Sequence, residues 1–209
     1  YIVATCGAES PIMGAKFLIQ SKVVNPRFVL VGSPTELALV NNHKSKLVVA
    51  LQISFVSVDR DTQEYNTRIR ISTKGKSAHA SHPESGDSAV AKIISLLRFL
   101  RESKISMKLF SLSGGSDINK IPDTGEVSIV IPDLQLDQFR RKFKQYLVDH
   151  PRDYFELKFG GTGSEGVRLF PEELIDAIFF IDDLVGSIDL RLKEAENPEF
   201  APPYSTLSV

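Results

Sequence analysis

Between Tyr65 and Phe159 the hydrophobic period of the chain switches repeatedly between two and about 3.6, and the order of those switches restricts the fold more than any single residue does. Tyr65 to Ser72 alternates as a strand. Val90, Ile93, Ile94, Leu97 and Leu100 then recur at three and four, with Asp87 or Ser88 available as a helix N-cap and Arg98 and Arg101 suited to the C-terminal dipole. Met107 to Ser111 and Glu126 to Ile131 read as strands, and Asp133 caps a second helix through Leu136, Phe139, Phe143 and Leu147. Tyr154 to Phe159 supplies another strand. Strand, helix, strand, strand, helix, strand is the order of a split β-α-β (ferredoxin-like) sandwich, an open antiparallel-type sheet with both helices on one face.

The flanks have a different character. Tyr1 to Thr5 and Phe28 to Val31 are short apolar runs on either side of a helical stretch with Ala15, Phe17, Leu18 and Ile19, a strand, helix, strand unit of α/β type. Leu47 to Val58 reads as a long alternating strand, followed by turn residues Asp59 to Gln63. A boundary near Asn41 to Ser45 divides residues 1–45 from a second domain at 46–203, and residues 204–209 form a strand returning to the first. Gly160 to Ser164 is a loop. Pro171, Glu172 and Glu173 start an extra helix over 171–185, and Leu174, Ile175, Ile178, Phe179 and Ile181 wrap widely enough round it to require burial. A chain that opens and closes inside strands reads as a fragment of a longer protein.

Charge and cysteine content remove several classes of function. The 25 Lys and Arg balance 26 Asp and Glu, so no global field favours nucleic acid or anionic lipid. Apolar runs such as Ala177 to Ile181 are far shorter than the roughly 18 residues of a bilayer span, and no basic-then-apolar leader opens the chain. The expectation is a soluble protein of the cytoplasm, with no nucleic acid and no membrane among its partners. Cys6 is the only cysteine, which excludes an internal disulfide and a four-thiolate zinc site.

The histidines do not form a metal motif by themselves, because His43, His79, His82 and His150 have no HExxH spacing. His79 and His82 lie in Ser77-Ala78-His79-Ala80-Ser81-His82-Pro83, a loop between a strand and a strong helix. Such loops hold functional side chains, and they also carry plain surface polarity. Gly114-Gly115 lacks a phosphate-binding lysine and a GxGxxG spacing, so it reads as a tight bend with close backbone approach.

In combination and in this order, four stretches resemble the zinc-dependent metallopeptidase family of acetylornithine deacetylase, succinyl-diaminopimelate desuccinylase, aminoacylase, peptidase T and the aminoacyl-histidine dipeptidases. Ala4-Thr5-Cys6-Gly7-Ala8-Glu9-Ser10, followed by Gly14-Ala15, is similar to the strand end that carries paired glutamates. Val31-Gly32-Ser33-Pro34-Thr35, with His43-Lys44 after it, is similar to the Gly-Glu-Pro-Thr turn. Gly75-Lys76-Ser77-Ala78-His79-Ala80-Ser81, with Pro83, Gly86 and Ala89, resembles the Gly-x-x-Ala-His-x-Ser loop. Ser113-Gly114-Gly115 with Asn119, Ile121, Pro122 and Asp123 resembles the Gly-Gly-x-x-x-Asn-x-Ile-Pro turn.

The resemblance implies a split β-α-β lid, used for dimerisation, inserted in a catalytic α/β domain of which residues 1–45 are part, with 204–209 as the point of return. The extra helix is closest to the dipeptidase branch. The implied reaction is zinc-dependent hydrolysis of an amide or peptide bond in a small N-acylated amino acid or dipeptide. By the same resemblance His79, reaching from the lid of a partner subunit, stabilises the oxyanion, Asn119 orients substrate or lid, and Gly114 and Gly115 border the substrate. Glu9 keeps a zinc-ligand position. The general-base position is Ala8, which can move no proton, and a second ligand position is Ser33, whose neutral hydroxyl is a poor zinc ligand. The His and Asp ligands expected before Tyr1 and the His ligand expected after Val209 have no counterpart in the chain. The expectation is therefore a chain that is inactive alone and holds no zinc, with a homodimer through the lid, Leu96 and Phe99 forming an exposed contact face unless the extra helix at Pro171 to Val185 covers that surface within one chain. The alternatives are a lid and dimerisation module, or a relative that keeps the fold without the chemistry.

Overall fold

Ile69, Ile71, Val127, Ile129 and Ile131 are fully buried, and their strict alternation along two strands builds the sheet on which the rest of the described structure rests. The computed structural model describes residues 2–5, 13–32, 50–52, 54, 58–59, 65–161 and 168–194. Their elements are α1 (Met13–Ser21), β1 (Val58–Asp59), β2 (Tyr65–Lys74), α2 (Ala89–Glu102), β3 (Lys108–Gly114), β4 (Thr124–Pro132), α3 (Leu136–Asp149), β5 (Phe155–Gly161), β6 (Arg168–Leu169) and α4 (Glu173–Glu194). The chain divides into two units, Tyr1–His43 and Lys44–Val209.

In the second unit the sheet has four strands in the order β3-β4-β2-β5, every neighbour antiparallel. Ile69 faces Ile129 on one side and Phe159 on the other, and Ile71 faces Val127 and Leu157, so one face of the sheet is apolar from edge to edge. Ile93, Leu97 and Leu100 of α2 and Phe139, Phe143 and Tyr146 of α3 share a single core with that face. Both helices thus cover the same side, as the periodicity requires, and the fold is a split β-α-β layer.

Local capping explains where the helices begin. Ser88 is the N-cap of α2, its Oγ accepting from the Ala91 N–H at 3.2 Å. Asp133 does not cap α3, contrary to expectation. A 3-10 turn over Asp133–Gln135 intervenes, and the Asp133 carboxylate instead accepts from the Thr67 hydroxyl at 2.6 Å, tying the end of β4 to β2.

Helix α4 runs to Glu194, further than residue 185; Arg98 of α2 meets its Asp182 and Asp183 at 3.2 and 2.8 Å, and Arg101 meets Glu172 just before it at 2.9 Å. Ile175 and Phe179 enter the core beneath these pairs. The expected exposure of Leu96 and Phe99 is overturned: Leu96 is fully buried, and the Phe99 ring lies 5.4 Å from that of Tyr146. The cause is that α2 packs between α3 on one side and α4 on the other.

On the opposite face of the sheet β1 and β6 pair antiparallel, bringing buried Leu169 against Val130 and Phe110. The Phe170 N–H then donates to the Leu109 carbonyl at 2.9 Å, closing part of the outer edge of β3. Most of the expected strand over Leu47 to Val58 lies outside the described residues; 50–52 and 54 have no regular structure, and only Val58–Asp59 is strand.

In the first unit α1 forms as expected but buries no residue. The apolar runs flanking it are not strands: 2–5 and 28–32 carry no ladder, with Ile2, Phe28 and Leu30 essentially open to solvent. A strand exists by its hydrogen-bonded neighbour, and among the described residues neither run has one. The return strand at 204–209 and the loop residues 162–164 lie outside the described residues. No helix of the described residues is long and apolar enough to cross a membrane.

Candidate functional site

Two loops at one end of the sheet are sewn together by backbone hydrogen bonds. The first joins β2 to α2 and carries His79; the second joins β3 to β4 and carries Asn119. Gly75 N–H donates to Asp123 O, Ala80 N–H to Asn119 O, Ile121 N–H to Ala78 O and Ala89 N–H to Pro122 O, each at 2.8 Å. His79 is therefore bracketed on both sides by residues bonded across to the second loop, and it forms a bridge with Lys120. Lys76 and Asp87 exchange two further backbone bonds, at 2.8 and 2.9 Å, which close the first loop on itself. Gly75 is required at its start, because a Cβ there would fall on the Asp87 carbonyl.

This frame fixes the imidazole chemically as well as spatially. The Ser81 N–H donates to His79 Nδ1 at 3.2 Å, and the Ser81 hydroxyl lies 2.7 Å from the same nitrogen. A backbone N–H can only donate, so Nδ1 accepts and the proton of the neutral ring is assigned to Nε2. An exposed ring whose neutral form carries its proton on Nε2 is a hydrogen-bond donor for an external oxygen. Ser81 Oγ also reaches His82 Nδ1 at 2.8 Å, so one hydroxyl orients two rings. Sequence reading singles out His79 and passes over Ser81; the signal is the His-x-Ser spacing, which returns a donor to the ring two residues earlier.

Next to the bridge Lys120 pairs with Asp117 at 2.7 Å. Hydrogen bonding and attraction to Lys120, with a further hydrogen bond from Ser116, hold the Asp117 carboxyl below its ordinary value, while the same pairing raises Lys120. Below the loops Lys92 of α2 reaches Asp87 and Asp153. Burial pulls its ammonium downward, but hydrogen bonds and attraction to the two carboxylates outweigh that and leave it raised.

Gly114 and Gly115 line a groove of about 360 Å³ with Lys74, Glu126, Tyr154 and Glu156, and neither His79 nor Asn119 borders it. Gly115 has φ +76°, a conformation that glycine adopts freely, and its N–H donates to Thr124 O at 3.1 Å. The structure brings His79 and Asn119 together and sets the glycine pair beside them at the base of the β3–β4 connection. His150 has a structural place, its ring stacked 4.0 Å from that of Tyr146. Ala8, Glu9, Ser33 and His43 lie outside the described residues. Among the described residues no three of His, Cys, Asp and Glu gather as a metal would require, so those residues do not fit a zinc ion.

A histidine loop stitched to an asparagine loop above a split β-α-β sheet is matched by a family model: residues 65–154 match the model described as a peptidase dimerisation domain. Residues 65–154 of the chain are thus similar to a peptidase dimerisation domain. Similar curated members are acetylornithine deacetylase of Buchnera aphidicola subsp. Schizaphis graminum, 27% identical over 137 residues, covering 58% of this chain and 31% of that one, and acetylornithine deacetylase of Proteus mirabilis, 29% identical over 90 residues, covering 43% and 18%. Among solved structures, the aminoacylhistidine dipeptidase of Vibrio alginolyticus is similar at 16% identity and a TM-score of 0.43, covering 61% of this chain and 27% of that one. The match to the first of these relatives spans about a third of its length. The matched residues run from β2 to the residue before β5, and β5, β6 and α4 lie beyond the match.

Proposed function

We propose that the protein to which this chain belongs is built for hydrolysis of an amide or peptide bond in a small N-acylated amino acid or dipeptide, with this chain supplying the lid. The observation that carries the reading is the stitched loop pair, which presents the His79 Nε2–H on a rigid frame beside Asn119. A donor so placed suits an oxygen that gains negative charge as the carbonyl is attacked, and rigidity removes the cost of reorienting it at that moment. The described residues leave His79 without a base or a metal to work with, which fits a lid acting on a site completed elsewhere, by a second subunit as the dimerisation domain implies. Residues 1–45 would form part of the catalytic α/β domain, and 46–203 the lid, with 204–209 returning.

The zinc that the reaction class would use is assigned no place in this chain. Glu9 alone of the positions read from sequence is a carboxylate; Ala8 and Ser33 supply neither a base nor an anionic ligand. The chain as it stands is inactive in this reading. The second reading, a dimerisation module without chemistry, is favoured by the same Ala8.

One experiment separates the two. Ala8→Glu with Ser33→Glu is introduced into the longest natural product of the gene, and release of amino acid from N-acetyl amino acids and dipeptides is measured with added zinc. Activity gained by the double variant and lost again on His79→Ala supports the hydrolase reading. Activity indifferent to His79→Ala removes the role of His79, and absence of any gain leaves the module.

A further inference from the structure

The turn that carries His79 sets the proton positions of two rings. His79, Ala80, Ser81 and His82 form a tight turn closed by the His82 N–H, which donates to the His79 carbonyl at 2.9 Å, and the Ala80 N–H ties its middle to the Asn119 carbonyl at 2.8 Å. The two histidines therefore stand at the ends of an anchored turn with Ser81 between their rings, and both are exposed.

Following the protons along this turn leaves one arrangement. The Ser81 N–H reaches His79 Nδ1 at 3.2 Å and can only donate, so that nitrogen is bare. Ser81 Oγ lies 2.7 Å from the same bare nitrogen, where two lone pairs would repel, so the hydroxyl proton is directed there. A hydroxyl has one proton. With that proton engaged on His79, Ser81 Oγ meets His82 Nδ1, 2.8 Å away, only as an acceptor, and His82 carries its proton on Nδ1. Neutral His82 is then bare at Nε2. The direction is fixed because the series starts from a main-chain N–H, which has no second role to adopt: His82 Nδ1–H donates to Ser81 Oγ, and Ser81 Oγ–H donates to His79 Nδ1.

We propose that Ser81 is a positioning residue that holds His79 and His82 in opposite tautomers, so that one loop offers a substrate an imidazole donor at His79 Nε2 and an imidazole acceptor at His82 Nε2. A group bonded to His79 is an acceptor, and a group bonded to His82 brings a proton of its own. An amide meets the two demands with its carbonyl and its N–H, and His82 thereby becomes the residue of the pair that reads the nitrogen side of the substrate. The use of the pair rests on the hydrolase reading; the tautomers themselves do not.

Long-range proton–nitrogen correlation spectra of the 209-residue chain, isotope-labelled in its histidine rings and recorded at about pH 8.5, above the ordinary imidazole range, tell bare from protonated ring nitrogens. His79 should be bare at Nδ1 and His82 at Nε2. Ser81→Ala removes the hydroxyl and keeps the main-chain N–H. His79 should then be unchanged, while the His82 Nε2 resonance should move from the bare position toward the mixture of free imidazole, in which the Nε2–H form is the more populated. Ser81→Thr, which keeps a hydroxyl, should return the original pattern. His150, whose Nδ1 faces the Tyr146 carbonyl at 3.0 Å, should be the same in every variant, and circular dichroism verifies that each is folded. His82 bare at Nδ1 in the unaltered chain, or a His82 spectrum indifferent to Ser81→Ala, would overturn the role of Ser81. A His79 spectrum that moves with Ser81→Ala would overturn it too, because the main-chain N–H would not be what fixes the first ring. None of these spectra needs turnover, so loss of the hydrolase reading would leave them standing, and their failure would leave that reading to its own assay.

Discussion

Residues 13–32 and residues 65–161 are both rich in apolar side chains, yet they end in opposite states. In the first, Phe17 and Ile19 of α1 and Val29 and Leu30 after it are more than two-thirds exposed; in the second, Ile69, Leu97, Ile129 and Phe139 have no exposed surface. Hydrophobicity is therefore not what separates them. The sheet domain has strands whose neighbours are supplied by the same chain, so every apolar face meets another. The first unit has one helix and apolar runs with no ladder among the described residues, and that helix buries none of its side chains. Local pattern makes a helix in both places, but burial needs a partner surface.

The sharpest way to break this comparison is to remove one large side chain from each region. Phe139→Ala should cost about 3–5 kcal/mol in denaturant unfolding, because Phe139 is fully buried and stacks on Phe143. Phe17→Ala should change the same transition by less than about 0.5 kcal/mol. A comparable loss from Phe17 would show that the first unit shares the core of the second.

A smaller effect is expected from the Lys92 network. Asp153→Asn should cost about 1–3 kcal/mol near neutral pH, in the range of hydrogen bonds to charged groups. The folded-state pKa of Lys92 is raised, so its contribution is complete below its ordinary value of about 10.4 and fades as pH rises through the higher folded value. Unfolding midpoints of the two proteins should stay separated up to about pH 10 and converge above it. A gap that widens on the alkaline side would contradict this sign.

Arg98 tests whether α4 belongs to the sheet domain as firmly as α2 does. Its guanidinium lies 4.8 Å from the Phe179 ring and donates to Asp183, Asp182 and the Phe179 carbonyl. These groups are partly exposed, so Arg98→Ala should cost only about 1 kcal/mol, with faster amide exchange confined to α4. Exchange that quickens equally in β2 and β4 would mean that α4 holds the sheet together.

The smallest change again pairs the regions. Lys22 and Lys104 each follow a helix with positive φ, 52° and 62°. Lys104→Gly should stabilise the sheet domain by up to about 1 kcal/mol by relieving that conformation. Lys22→Gly should leave the melting transition where it is.

How far these features are legible in the sequence follows the same division. α2, α3 and the four strands of the sheet are readable because each has a periodic face and its partners lie within the same hundred or so residues of chain. Leu96 reads as exposed from the periodicity of α2, which identifies only the stripe toward the sheet; the sequence leaves open whether the extra helix covers that flank, and α4 does cover it. The pairing of Val58 with Leu169 has no local signal at all, since two-residue strands are too short to show alternation. Asp133 is misread as a cap because it lies in a 3-10 turn over Asp133–Gln135 that moves the N-cap of α3 two residues on, to Gln135. At the site, His79 and Asn119 are legible through motif order. The stitching that holds them uses main-chain groups, which any residue but proline could supply, and Ser81 is seen only once its N–H is found on the ring.

The placement of β2 has a consequence for how the domain comes together in time. It is the earliest strand of the sheet in the chain, yet it sits inside, between β4 and β5, which follow it far along the sequence. β4 becomes available only after α2 and β3 have been made, and β5 only after α3 as well, so until β5 emerges from the ribosome at least one long edge of β2 is bare. Such non-local pairing slows folding and leaves an apolar ribbon exposed to other nascent chains. The alternation of Arg68, Arg70 and Ser72 with Ile69 and Ile71 keeps every second position of that ribbon polar while it waits.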